Sequence, residues 1–119
     1  MIIEDDEDIR LVAHHLMQAL GGFEVEACEN GSIALDRVAQ FEPDMILCDV
    51  MMPVMDGLST LAELKRTPAH AHIPVIFMSA RVQKHEIEEY LGRGAVAVID
   101  KPFDPVALSD RIRAIWAEL

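Results

Sequence analysis

Five times along this chain a short apolar run gives way to a stretch with helical spacing, and that alternation demands a parallel sheet covered by helices. The runs are Met1 to Ile3, Phe23 to Ala27, Met45 to Cys48, Val75 to Met78 and Val96 to Ile99. In the second, Phe23, Val25 and Ala27 alternate with Glu24 and Glu26, the period of a strand with one wet face, so it belongs at the sheet edge. The third is continuously apolar, as a central strand buried on both faces must be. Inward stripes are expected from Ile9, Val12, Ala13, Leu16 and Leu20, then Ala34, Val38 and Phe41, then Leu58, Leu61 and Ala62. Ile87, Tyr90 and Leu91 serve the fourth helix, and Leu108, Ile112, Ile115 and Leu119 the fifth. Gly21-Gly22, Thr67-Pro68 and Gly92 with Gly94 supply the stops, while Asp104 followed by Pro105 is a helix start.

The length of 119 residues fits one domain spanning 1–119 with a single continuous core. Ten Lys and Arg against 21 Asp and Glu give a formal charge of −11, which repels nucleic-acid phosphates and anionic membranes alike. Neither is expected as a direct partner. No apolar stretch approaches the roughly 18 residues needed to cross a bilayer, no basic segment followed by an apolar one stands at the start as in a signal peptide, and the expected compartment is the cytoplasm. Cys28 and Cys48 lack a CxxC spacing and read as buried thiols.

Ligands of open parallel sheets bind beyond the carboxyl ends of the strands, and there this chain carries its unusual polar residues. The first strand ends in Glu4-Asp5, the third in Asp49, the fourth in Ser79 and the fifth in Asp100-Lys101. Gathering three carboxylates is costly, since a like-charge pair about 4 Å apart repels by about 4 kcal/mol at an effective dielectric of 20. A hard divalent cation offsets that cost, and Mg²⁺ suits a site with few carboxylates because it keeps waters and borrows oxygens from a phosphoryl group. Zinc would require His or Cys, and neither is placed at these tips. With a metal held by Glu4 and Asp5, Asp49 can attack phosphorus, while the Lys101 ammonium and the Ser79 hydroxyl take the remaining phosphoryl oxygens.

Four segments in this order carry a family likeness: Glu4-Asp5, the run from Asp49 through Met51, Met52 and Pro53 to Asp56-Gly57, Ser79-Ala80, and Lys101-Pro102-Phe103. Over essentially its whole length the chain resembles the receiver domains of two-component response regulators. The resemblance implies a flavodoxin-like (βα)5 sandwich with strand order 2-1-3-4-5 and Asp49 as phosphoacceptor. It implies Mg²⁺ bound by Glu4, Asp5, Asp49 and the Met51 backbone carbonyl, with Ser79 and Lys101 on the phosphoryl group. The implied donor is a sensor histidine kinase or a histidine phosphotransfer domain. The implied role is regulatory rather than enzymatic: the domain assists its own phosphorylation and dephosphorylation, and its helix 4, strand 5 and helix 5 surface addresses a downstream protein or attached output domain. The Lys101-Pro102 peptide is implied to be cis, a form open almost only to proline.

Two departures stand out. Val98 occupies the position, three before the lysine, where the family often has Tyr or Phe, so no aromatic rotamer switch is expected there. Signalling would then run through Ser79, the Ser79 to Lys84 loop or the helix 4 and helix 5 surface. Met1 begins almost inside the first strand, where receivers usually have several more residues, which suggests a trimmed chain or a piece of a larger regulator or hybrid kinase.

Blander roles suit the neighbours. Asp6, Glu7 and Asp8 read as a solvated helix start, Asp56 as a helix cap and Asp100 as a loop former. His14 and His15 read as surface residues, His70 and His72 lack a third metal ligand, and Met51, Met52 and Met55 read as loop packing. Three rival functions remain. A phosphorylation-independent interaction domain is encouraged by Val98 and opposed by the intact acidic set. A haloacid-dehalogenase-type phosphatase wants a second acid two residues after the nucleophile, where this chain has Met51. A flavodoxin wants a Ser/Thr/Gly-rich phosphate loop after the first strand, where this chain has carboxylates.

Overall fold

A computed structural model describes residues 1–19, 21–80, 83–101 and 104–119 of the chain. The expected inward placement of Leu20, the cis Lys101-Pro102 peptide, Phe103 and part of the loop between Ser79 and Lys84 lie outside the described residues. The elements alternate as the apolar pattern requires: β1 (Ile2–Ile3), α1 (Glu7–Ala19), β2 (Ala27–Cys28), α2 (Gly31–Phe41), β3 (Ile46–Asp49), α3 (Gly57–Arg66), β4 (Val75–Ser79), α4 (Lys84–Gly92), β5 (Ala97–Asp100) and α5 (Pro105–Ala117). All strand pairs are parallel, in the order β2-β1-β3-β4-β5, so the flavodoxin-like fold expected from the sequence is the one observed.

Strand alternation sends neighbouring side chains into two cores. Ile3, Cys28, Ile46, Cys48 and Phe77 pack under α2, α3 and α4, meeting Ala34, Val38, Leu61, Leu64 and Tyr90. Ile2, Leu47, Ile76 and Met78 face α1 and α5, where Ala13, Met17, Leu108 and Ile112 cover them. Both cysteines are free and buried. Helix starts are satisfied locally: Asn30 accepts from the Ile33 amide, Asp56 from Ser59 and Asp104 from Val106. α4 is the exception. Its first-turn neighbour Gln83 makes no side-chain cap bond, and Tyr90 is its one buried residue.

Several inward stripes are narrower than expected. Met17, not Val12, continues the Ala13 stripe, because residues four apart share a helix face whereas adjacent ones differ by about 100°. The same geometry exposes Ala62 and Leu91 beside buried Leu61 and Tyr90. Leu119 lies beyond the end of α5 and is exposed. The edge strand pairs only at Ala27 and Cys28, although Val25 before it is already buried.

Candidate functional site

Register brings the polar strand tips together. β1 lies beside β3 with Ile3 opposite Cys48, so Glu4 follows at the height of Asp49. One strand further, Asp49 pairs with Met78, and Ser79 pairs with Asp100. Lys101, just past β5, donates its backbone N–H to the Ser79 carbonyl at 2.8 Å. Its side chain crosses the strand tips: Nζ lies 2.9 Å from each Glu4 carboxylate oxygen and 3.0 Å from Asp49 Oδ2. Oxygens of Glu4, Asp5 and Asp49 all lie within 4.8 Å of one another.

The three acids are not equivalent. Glu4 is 1% exposed and Asp49 5%, while Asp5 stands in solvent. Burial raises the Glu4 pKa from 4.5 to about 7; the Lys101 hydrogen bond pulls it back, and the Asp49 charge adds to the rise. Asp49 is likewise raised by burial and held down by Lys101. For Lys101, burial works against the charge, but its bonds to Glu4 and Asp49 outweigh that and the ammonium is stabilised. Two buried carboxylates thus share one cation. The donor set at the tips is all oxygen, which fits a hard cation such as Mg²⁺ and not a thiophilic one.

The backbone leaves room for this arrangement at one glycine. A side-chain carbon at Gly57 would stand 2.4 Å from the Asp49 carbonyl oxygen, and the Gly57 amide donates to the Val50 carbonyl at 2.8 Å. The loop after Asp49 therefore folds back tightly. Met51 is 79% exposed, so its side chain does not pack in the loop as expected, whereas Met52 leans on the core.

Of the residues singled out from sequence, Glu4, Asp5, Asp49 and Lys101 converge, and Ser79 ends buried on the adjacent strand tip. His15 and His72 are exposed and take no part, and Asp56 caps α3. Two residues were given no role from the sequence. Gly57 stood only inside the Asp56-Gly57 segment of the family likeness, and Arg10, whose guanidinium bonds the Glu4 and Asp5 carbonyls, looked like any helix-surface arginine. A hollow of about 550 Å³ lies at the opposite end of the strands among Met17, Phe23, Met45 and Trp116, away from the acids.

Comparison with known proteins points to one family and one fold. The family model of the response regulator receiver domain matches residues 1–113. The probable transcriptional regulator ycf29 of Pyropia yezoensis is 36% identical over 98% of this chain and 52% of its own length. The response regulator PleD of Caulobacter vibrioides is 35% identical over 97% of this chain and 25% of its own length. The chain thus spans about half of one relative and a quarter of the other. Among solved structures, the chemotaxis protein CheY4 of Vibrio cholerae superposes with a TM-score of 0.89 at 26% identity, covering 96% of this chain and 94% of that one. The signal receiver domain of a signal transduction histidine kinase from Syntrophus aciditrophicus gives 0.84 at 29% identity, covering 99% and 89%. No helix among the described residues is long and apolar enough to cross a membrane. With a family model spanning nearly all of its residues and the strand order that the resemblance implied, the chain belongs to the response regulator receiver domains of two-component signalling.

Proposed function

We propose that the chain, as one domain over residues 1–119, accepts a phosphoryl group on Asp49 from the phosphohistidine of a sensor kinase or histidine phosphotransfer domain. The observation that carries this reading is the bridge from Lys101 to buried Glu4 and Asp49, with Asp5 completing an oxygen cluster. A mostly buried carboxylate whose pKa is raised by burial is a better nucleophile toward phosphorus, and the Lys101 ammonium beside it stands ready for the charge that arrives. One Asp49 oxygen forms the new bond to phosphorus, and the P–N bond to the donor histidine breaks with its electron pair leaving on the imidazole nitrogen. Lys101 then turns from the carboxylates to a phosphoryl oxygen, and the Ser79 hydroxyl donates to another.

Glu4, Asp5, Asp49 and the Met51 carbonyl are the residues that would hold Mg²⁺, which when bound supplies positive charge for a phosphoryl oxygen and relieves the carboxylate repulsion. The role is regulatory: the domain assists its own phosphorylation and hydrolysis, and the added charge of about −1.5 to −2 changes the α4, β5 and α5 surface that a downstream protein or attached output domain reads. Its partners are proteins rather than nucleic acid or membrane, and the cytoplasm is the proposed setting.

Incubation with a small-molecule phosphodonor and Mg²⁺ tests the reading. Wild type should gain a hydroxylamine-labile phosphate and Asp49→Asn should not; a wild type that stays unlabelled with every donor rejects it. The rival is a phosphorylation-independent interaction domain, favoured by Val98, which pairs with Phe77 in the register of β4 and β5 where the family often has an aromatic ring. In that case a Mg²⁺ titration gives no saturable response near Asp49.

A further inference from the structure

The turn that presents Glu4 and Asp5 is held by a cation that lies outside the acidic set. β1 ends its register pairs at Ile3 and its last sheet bond runs from the Glu4 amide to the Cys28 carbonyl at 3.0 Å, so the backbone leaves the sheet at Asp5. Arg10, in the first turns of α1, reaches back to this stretch. Its Nη1 donates to the Glu4 carbonyl at 2.9 Å and to the Asp5 carbonyl at 3.4 Å. On the other side of the turn Asp6 Oδ1 accepts from the Ile9 amide at 3.1 Å, so the stretch is pinned at both ends. Glu4 has a second hold, because its side chain is buried and bonded to Lys101. Asp5 is exposed, and the position of its carboxylate depends on the backbone beneath it.

We propose that Arg10 is a positioning residue for the divalent cation: by tying the Glu4 and Asp5 carbonyls together it holds the Asp5 carboxylate toward Asp49 and sets Mg²⁺ affinity without touching the ion. The inference rests on the metal site proposed above. Both contacts come from one guanidinium nitrogen, Nη1, whose two N–H directions are fixed by the planar group, whereas the donors of an ammonium rotate freely on a flexible stem. Outer residues that orient metal ligands commonly matter for affinity as much as tenfold or more.

The experiment compares Arg10→Met, which keeps the stem and removes the donors, with Arg10→Lys, which keeps the charge. Mg²⁺ affinity is read by calorimetry and by amide shifts of residues 49–51, melting is followed without metal, and phosphorylation from a small phosphodonor is followed at saturating Mg²⁺. Arg10→Met should weaken Mg²⁺ binding by about tenfold and Arg10→Lys by about threefold. At saturating Mg²⁺ both should be phosphorylated within about twofold of the wild-type rate, since the defect lies in loading the site. A lower melting temperature with unchanged Mg²⁺ affinity would make Arg10 merely structural and overturns the proposal. If Arg10→Met does not fold, wild-type affinity in Arg10→Lys overturns it equally. A wild type with no saturable Mg²⁺ response overturns both this inference and the metal reading beneath it, while normal wild-type binding with unaffected variants overturns the inference alone.

Discussion

Replacing Lys101 by Met would remove the one cation that Glu4 and Asp49 share, with a stem of similar length left in place. The contacts are short, 2.9 Å to Glu4 and 3.0 Å to Asp49, and the carboxylates are 1% and 5% exposed. Breaking a buried ion pair by deleting one partner costs about 3–5 kcal/mol. A ceiling follows from proton uptake, because the pocket can replace the lost ammonium with a proton on Glu4. At about pH 8, neutralising a carboxyl whose ordinary pKa is 4.5 costs about 1.36 kcal/mol per unit, or about 5 kcal/mol. The expected loss at about pH 8 without metal is therefore about 3–5 kcal/mol, a fall in melting temperature of about 12–20 °C for a domain of this size. At about pH 5.5 Glu4 already carries a proton in the wild type, since its pKa stands at about 7, and Lys101 faces Asp49 alone. The loss there should shrink to about half. Urea unfolding at the two pH values, with and without Mg²⁺, measures both numbers. Equal losses at both pH values, or a loss below about 1 kcal/mol at the higher one, would refute the shared-cation account and leave only ordinary packing.

Three further outcomes are expected. Because the folded-state pKa of Glu4 is raised from 4.5 to about 7, its contribution to metal-free stability is full below pH 4.5 and lost as pH rises through 7, and Asp49 shifts in the same direction. Melting without metal should accordingly fall from mildly acidic to mildly alkaline pH, while Mg²⁺ affinity by calorimetry rises about tenfold per unit up to neutrality, since the ligand must lose its proton. Gly57→Ala should destabilise by about 3 kcal/mol and slow phosphorylation, because its methyl meets the Asp49 carbonyl oxygen at 2.4 Å; wild-type melting in that variant would show that the loop gives way freely. Asp56→Ala should cost about 1 kcal/mol through the lost cap on α3 and leave labelling of Asp49 intact, as chemical denaturation and the phosphodonor assay would read.

The sheet was legible because its signal is collective. Five apolar runs and the acids at their tips depend on backbone periodicity, which a sequence displays directly. Faces of single helices were less legible: Val12 and Met17 are both apolar, and only packing against Leu47 and Ile76 selects the second. The members of the site could be named, but their inequality could not. Glu4 and Asp5 are adjacent acids in the text, yet one is buried against Lys101 and the other faces water, a difference made by residues 97 positions apart in the chain. The grip of Lys101 on both Glu4 oxygens and the reach of Arg10 to two carbonyls are likewise tertiary facts, with no local spacing to announce them.

Helix α4 differs from its neighbours in having a start without a side-chain cap and a single buried side chain, Tyr90, set edge-on to Phe77 with ring centroids 5.5 Å apart. A segment fastened at one point opens at a smaller free energy than the sheet it covers, and its amides should trade hydrogen for deuterium before those of the other helices. Phe77 lies two residues before Ser79 on the same strand, so a shift at that tip bears on the ring that fastens the helix. A helix with one buried anchor thus stands next to the charged strand tips, and a small rearrangement at those tips can become a larger one at the surface.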